Sequence, residues 1–259
     1  MNSNLFLEVE KLFTDEIYKN TTVNAQINLK YCCDEDDEQN IIIMANYFKQ
    51  LPKFSGLSDR DIFIILIYMY YRIYNDQTEN IFTIEFVKKN LENERLAFEL
   101  GNILFTFSEV EKLFTDEIYK NKEKHTNDFN NKIEVTYCCS EHDKLNIFIM
   151  SNFIKQLSDF SGLSDRDIFI IVIFIFYSLR YSEQNEDLLN VNFLESNLET
   201  KNLGIRLFNE ITTGDITLNG INVSSTIRRY IMGFPENPHG GQKRKSRKSR
   251  KSNFFNYLL

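Results

Sequence analysis

Two short segments place acidic side chains at a spacing that could serve catalysis. Asp59 and Asp61 are separated by one arginine, and the same pattern recurs at Asp165 and Asp167. Paired carboxylates are common in general acid and base chemistry. A serine precedes each pair, however, and serine followed by acidic residues is a typical helix start. We therefore assign the carboxylates to helix-end electrostatics, with the intervening arginine balancing their charge, and predict no catalytic residue.

Two adjacent cysteine pairs and one acidic run are the candidates for metal binding. The pairs are Cys32-Cys33 and Cys138-Cys139, and the acidic run covers residues 34–38. Zinc sites usually take two ligands that are two to four residues apart, twice over, which adjacent cysteines do not provide. The acidic run lacks the glycine and the regular spacing of an EF-hand loop. We predict no metal and no cofactor, with the cysteines as free thiols and residues 34–38 as a solvated turn.

A basic block near the C-terminus is the sharpest local signal. Like charges without apolar residues do not fold alone, so we expect a disordered tail. Such a block is typical of nuclear localisation, of phosphate-backbone binding, of contact with an anionic surface, or of a solubilising tail. The residues assigned to polyanion binding are Lys243, Arg244, Lys245, Arg247, Lys248, Arg250 and Lys251.

The charge of the whole chain hides an asymmetry. The net charge is −7, but the other 23 basic residues face all 37 acidic ones, which leaves the rest of the chain near −14. An acidic body does not attract nucleic acid by general charge, whereas the tail does. The most apolar runs, 62–71 and 168–177, are about half the ~20 residues that span a bilayer. With no secretory signal in the N-terminal residues, we predict an intracellular protein without a transmembrane segment.

An internal repeat determines how these features are arranged. Residues 8–20 are identical to 109–121, and residues 54–65 are identical to 160–171. Self-similarity of this kind indicates a duplicated structural unit, here of about 100 residues. We predict unit 1 at 1–104, unit 2 at 105–211, a C-terminal hairpin and short helix at 212–234, and a flexible basic tail at 235–259.

The hydrophobic pattern predicts an α+β fold that is mainly helical. Each unit begins with an amphipathic helix, to which Ser108 and Glu111 supply a capping box in unit 2. Alternating residues then predict strands at 23–31 and 129–137. Helices at 40–51 and 146–157 precede an apolar, buried helix that starts after the serine caps. A short strand or loop at 81–86 and 188–193 leads into last helices near 85–100 and 192–210, and Asn219-Gly220 predicts a tight hairpin turn.

Two resemblances point in different directions. The Asn/Ile/Lys/Phe-rich composition, with Gly240-Gly241-Gln242 before the basic run, resembles proteins of mimivirus-like giant DNA viruses. This implies a viral source and an association with the virion. Residues 66–72, LIYMYYR, resemble the L-I-Y-x-D-R stretch of the cyclin box, which also occurs as two helical units of similar length. Here the stretch lacks the Asp, and the predicted strands do not suit an all-helical box.

Three functional hypotheses remain open from the sequence. The first is a non-enzymatic, duplicated interaction or structural protein, viral in source, located in the host cytoplasm or nucleus or in the virion. Its partners would be an unknown protein and, through the tail, nucleic acid or an anionic surface. The second is a cyclin-like regulator of a protein kinase. The third is an enzyme with a site between the repeats, which a pocket lined by clustered acids or histidines would support.

Overall fold

The computed structural model describes a chain that is largely helical. The described residues are 3–20, 33, 35–74, 81–129, 139, 141–180, 189–213, 217–218 and 221–222. The helices are α1 (Ser3–Asn20), α2 (Glu35–Gln50), α3 (Asp59–Tyr74), α4 (Ile84–Asn90), α5 (Glu94–Phe129), α6 (Glu141–Lys155), α7 (Asp165–Arg180), α8 (Val191–Asn197) and α9 (Lys201–Thr213). Short 3₁₀ turns, Pro52–Phe54 and Ser158–Phe160, precede α3 and α7.

The predicted α+β fold class is wrong, because the described residues form an all-α fold. Most of the two strands predicted at 23–31 and 129–137 lies outside the described residues, and Phe129 itself ends α5. The short strands considered at 81–86 and 188–193 do not form: α4 begins at Ile84 and α8 begins at Val191. In both cases a polar N-cap side chain accepts a hydrogen bond from the third residue of the helix, which favours helix over strand.

Two very short strands follow the last helix. β1 (Thr217–Leu218) pairs antiparallel with β2 (Ile221–Asn222), and Leu218 stands opposite Ile221. This places a hairpin where Asn219-Gly220 predicts one. Four residues of strand do not alter the all-α class of the described chain.

The repeat is visible as two sets of equivalent helices that share one long helix. α2, α3 and α4 of unit 1 correspond to α6, α7 and α8 of unit 2. The first part of α5 corresponds to α9, and its second part carries the copy of the α1 sequence. The predicted boundary between residues 104 and 105 therefore lies inside a continuous helix of 36 residues. Ser108 and Glu111 lie within that helix, so they do not form the predicted capping box.

The core is built around α3 and α7, as the apolar runs predict. Every residue from Ile62 to Tyr71 and from Ile168 to Tyr177 is buried. Phe13 of α1 stacks on Tyr71, with ring centroids 5.9 Å apart, and the equivalent pair Phe114 and Tyr177 is 5.6 Å apart. A helix that is apolar on all sides has to be surrounded by others, and both units meet that requirement in the same way.

The acidic run does not form the predicted turn. α2 already starts at Glu35, so four acidic residues occupy its first turn, and α6 starts at Glu141 in the equivalent place. Negative side chains near the N-terminus stabilise a helix through its macrodipole, and this interaction extends both helices toward the N-terminus.

Candidate functional site

The recurring Ser-Asp-Arg-Asp motif is built into the fold. The Ser58 Oγ accepts a hydrogen bond from the Asp61 N–H at 3.1 Å, as expected of the predicted N-cap. Asp61 itself is fully buried, and its two carboxylate oxygens accept the backbone N–H groups of Glu92 and Asn93, both at 2.9 Å. These two residues directly precede α5, so a carboxylate from α3 caps the start of another helix.

The second unit repeats this arrangement. Asp167 is fully buried and accepts from the backbone N–H groups of Glu199 at 2.8 Å and Thr200 at 2.9 Å. Its neighbour Arg166 donates to the carbonyl oxygen of Asn197, the last residue of α8, at 2.6 Å. The motif thus provides hydrogen-bond partners for a carbonyl at the end of one helix and for N–H groups at the start of the next.

Arg60 takes the same role in the first unit, where it donates to the carbonyl oxygen of Asn90. The expectation that the arginines balance the aspartates is therefore wrong. The outer acids supply ion pairs instead: Asp59 lies 3.2 Å from the Lys49 Nζ, and Asp165 pairs with Lys155. Because these carboxylates are already bound by their neighbours, the motif is structural.

A cleft lies between the two units, where α2, α3, α5 and α6 meet. Its floor is apolar, and the centre of a water molecule can occupy about 90 Å³ of it. That space would hold several waters, at about 10–15 Å³ each. The apolar lining comprises Ile41, Met44, Leu66, Met69, Leu104, Phe107 and Phe148.

Polar side chains that line this cleft form hydrogen bonds and an ion pair. The Tyr70 hydroxyl donates to the Asp37 carboxylate at 2.9 Å. The Glu111 carboxylate lies 3.7 Å from the Lys144 Nζ and accepts the Cys139 N–H at 3.2 Å. The cleft is the place where an enzyme of the third hypothesis would have its site. Its acids, however, are distributed around an apolar floor and are not clustered.

The equivalent of Glu111 in the first unit has a different electrostatic environment. Glu10 accepts the Cys33 N–H at 3.1 Å, but Glu38 stands where the second unit has Lys144. Burial raises the pKa of Glu10, the hydrogen bond from Cys33 opposes the rise, and the charge of Glu38 adds to it. Each glutamate therefore accepts a cysteine N–H, but the nearby charge attracts Glu111 in unit 2 and repels Glu10 in unit 1.

The cysteines do not match the free thiols expected from the sequence. Cys33 and Cys139 are both disulfide-bonded, and no free cysteine occurs in the described part of the chain. Both pack partly buried against the hydrophobic core. Among the described residues no group of three or more histidine, cysteine or acidic side chains is arranged to hold a metal ion.

Three comparisons with known proteins found no match for this chain. No family model, no curated protein and no solved structure matches it. The seven basic residues between 243 and 251, which are predicted to bind a polyanion, lie outside the described residues. Within the part of the chain that is described, no helix is long and apolar enough to cross a bilayer.

The sequence indicated the starts of α3 and α7 but did not predict the cleft. Serine caps and apolar runs are local signals. The cleft depends on which helices of the two units meet, and hydrophobic period alone does not encode that pairing.

Proposed function

We propose that the chain is a non-enzymatic interaction or structural protein made of two copies of a helical unit, with a basic tail that contacts a polyanion or a protein partner. The main support for the proposal is that the repeated acidic motif binds groups of its own chain. Its carboxylates, the most conspicuous candidates for catalysis, are occupied by backbone N–H groups and lysines of the same chain.

Exposed apolar side chains at equivalent positions also favour an interaction role. Tyr18 and Tyr119 have 65% and 52% of their surface exposed, and they occupy the same position in the two units. Ile84 and Val191, exposed by 41% and 46%, form a second equivalent pair. A duplicated surface can engage a repeated or multivalent partner with increased avidity.

The tail supplies the second contact. The tail has seven basic residues between 243 and 251, whereas the rest of the chain is acidic, so polyanion binding would be concentrated in the tail. The proposal includes a viral source and a location in the host cytoplasm or nucleus or in the virion, which the composition and the glycine-rich junction before the tail support.

The polyanion contact is tested by charge substitution in the full chain. Replacing the seven basic residues with glutamine should abolish binding to heparin or to duplex DNA and remove its steep salt dependence. Lys88→Gln with Lys89→Gln, which removes two charges from α4, serves as the control and should leave binding unchanged. Equal binding by the wild type and the tail variant would refute this part of the proposal.

A cyclin-like regulator of a protein kinase is the second candidate. The all-α fold of the described residues favours it, since an all-helical unit with a buried central helix suits a tandem cyclin box better than the α+β fold expected from the sequence. Adding the purified chain to a panel of cyclin-dependent kinase catalytic subunits would test this role. Activation of none of them, with no co-elution, would exclude it for that panel.

A further inference from the structure

A second cavity shares Phe148 with the inter-unit cleft in its lining. It occupies the contact between α2 and α6, and the centre of a water molecule can reach about 60 Å³ of it. At about 10–15 Å³ per water, that volume holds about four to six waters, which is room for a small organic guest. Its lining includes Tyr47, Phe48, Phe148, Ser151 and Phe169.

The hydroxyl of Ser151 is the main indication that this cavity binds a guest. Ser151 is only 4% exposed, and its Oγ has no hydrogen-bond partner among the described residues. A buried hydroxyl without a partner is destabilising, so such groups are rare in folded proteins. The cavity offers the space in which a partner for this hydroxyl would sit.

Comparison of the two units shows that the fold does not need this hydroxyl. The residue equivalent to Ser151 in unit 1 is Ala45, which is fully buried at the same place in α2. Likewise, Tyr47 has the apolar Phe153 as its equivalent in unit 2. Both hydroxyls lie in the α2–α6 contact, at positions where the other copy folds with an apolar side chain.

We propose that this cavity is a binding site for a small neutral molecule with an apolar body and one hydrogen-bonding oxygen, such as a phenol or a short alcohol. The aromatic rings of Phe48, Phe148 and Phe169 enclose the apolar part. The hydroxyls of Ser151 and Tyr47 bind the oxygen. The two hydroxyls belong to different units, so a bound guest contacts both α2 and α6.

The charges around the cavity favour a neutral guest. Lys155 is paired with Asp165, and Lys53 lies 3.5 Å from a carboxylate oxygen of Glu99. Burial also raises the pKa of Tyr47, so its hydroxyl stays protonated and able to donate at neutral pH. A charged guest would have to replace one of these ion pairs.

Phenol is a suitable probe for the full-length chain. Its binding, followed by ligand-observed NMR and by the rise in Tm, should be saturable in the wild type. In Ser151→Ala the affinity should fall about three- to tenfold, the loss expected for one hydrogen bond. Because alanine occupies the equivalent position in unit 1, this variant should fold, with a Tm without phenol that is unchanged or higher.

Two further variants make the test specific. Tyr47→Phe, which copies unit 2, should also weaken phenol binding. Ser178→Ala removes a hydroxyl that already bonds to the Phe174 carbonyl on α7, outside the cavity, and should leave the affinity unchanged. Absence of saturable phenol binding, or equal affinity in wild type and Ser151→Ala, would overturn the proposal. Neither result depends on the basic tail, so it leaves the interaction proposal untouched.

Discussion

At the residue scale, the two aspartates of each repeated motif differ sharply although one residue separates them. Asp59 has a partly exposed side chain and pairs with a lysine, whereas Asp61 is fully buried and binds two backbone N–H groups. A buried carboxylate is tolerated when charge-assisted hydrogen bonds replace its water. The inner aspartate therefore contributes much more to stability than the outer one.

Substitution of the inner aspartate tests this difference. In Asp61→Asn the side chain keeps one acceptor oxygen but places an NH₂ group against a backbone N–H. We expect the free energy of unfolding to fall by about 2–4 kcal/mol. Asp59→Asn, the matched control, should cost less than about 1 kcal/mol. Urea denaturation followed by circular dichroism measures both, and equal losses would contradict the assigned roles.

The two equivalent glutamates form a second contrast at this scale. Glu10 lies near Glu38, and Glu111 lies near Lys144. Since the pKa of Glu10 is raised in the folded state, the folded chain holds its proton more tightly than the unfolded chain does. Its contribution to stability is therefore full below the usual pKa of 4.5 and is lost as pH rises through the folded-state value.

Opposite effects should follow from the same substitution in the two units. Glu10→Gln removes the repelled charge and keeps an acceptor for the Cys33 N–H, so stability at pH 7 should rise, by less than about 1 kcal/mol for this partly exposed site. The gain should disappear below pH 4.5. Glu111→Gln should lower stability at pH 7, because it breaks the pair with Lys144. Changes of equal sign would contradict this account.

At the element scale, the repeated serine motif predicts the starts of α3 and α7, whereas other helix boundaries depend on residues that are distant in sequence. The serine caps correctly place the starts of α3 and α7. The helices predicted at 85–100 and 192–210 are instead broken, after Asn90 and after Asn197. These breaks are held by Asp61 and Asp167, which are distant in sequence, and no local pattern contains that information.

The shared helix was missed for a similar reason. The repeat places a boundary near residue 104, and Ser108 with Glu111 resembles a helix start. The backbone nevertheless continues through this region as part of α5. Continuity is favoured because Leu104, Phe107 and Val110 are buried at helical spacing across the boundary.

A proline in this region tests the continuity of α5. Thr106→Pro removes the backbone hydrogen bond to the Asn102 carbonyl and places its ring against that carbonyl, so we expect a loss of about 3 kcal/mol or more. Thr106→Ala loses only the exposed side-chain hydrogen bond to the same carbonyl and gains helix propensity, so it should change stability by less than about 1 kcal/mol. Thermal unfolding distinguishes them, and a harmless proline would show that the two units are joined by a flexible connection.

At the scale of the whole molecule, one aromatic residue connects the units. The Phe148 ring centroid lies 5.5 Å from that of Phe48, 4.9 Å from Phe107 and 5.6 Å from Phe169. These rings belong to α2, α5 and α7, so both units and the shared helix meet at one side chain. Such packing should make the units unfold together.

Truncation of this side chain should separate the two units. Phe148→Ala is expected to cost about 3–5 kcal/mol and to split one calorimetric transition into two. Phe160→Ala is the control, because Phe160 is equally buried but packs within unit 2, where Arg206 lies over its ring. It should destabilise the chain without splitting the transition. A single transition in both variants would place the coupling elsewhere.

The shared helix also determines how the molecule could grow. The copy of α1 begins within α5, where Leu104 is the equivalent of Ser3. When the two units are aligned, Leu104 is also the equivalent of Ile211, near the end of α9. A third copy that starts at Ser3 and directly follows Glu210 would therefore continue α9 in helical register. In this geometry the unit is an extensible repeat that can be added at its end without a linker.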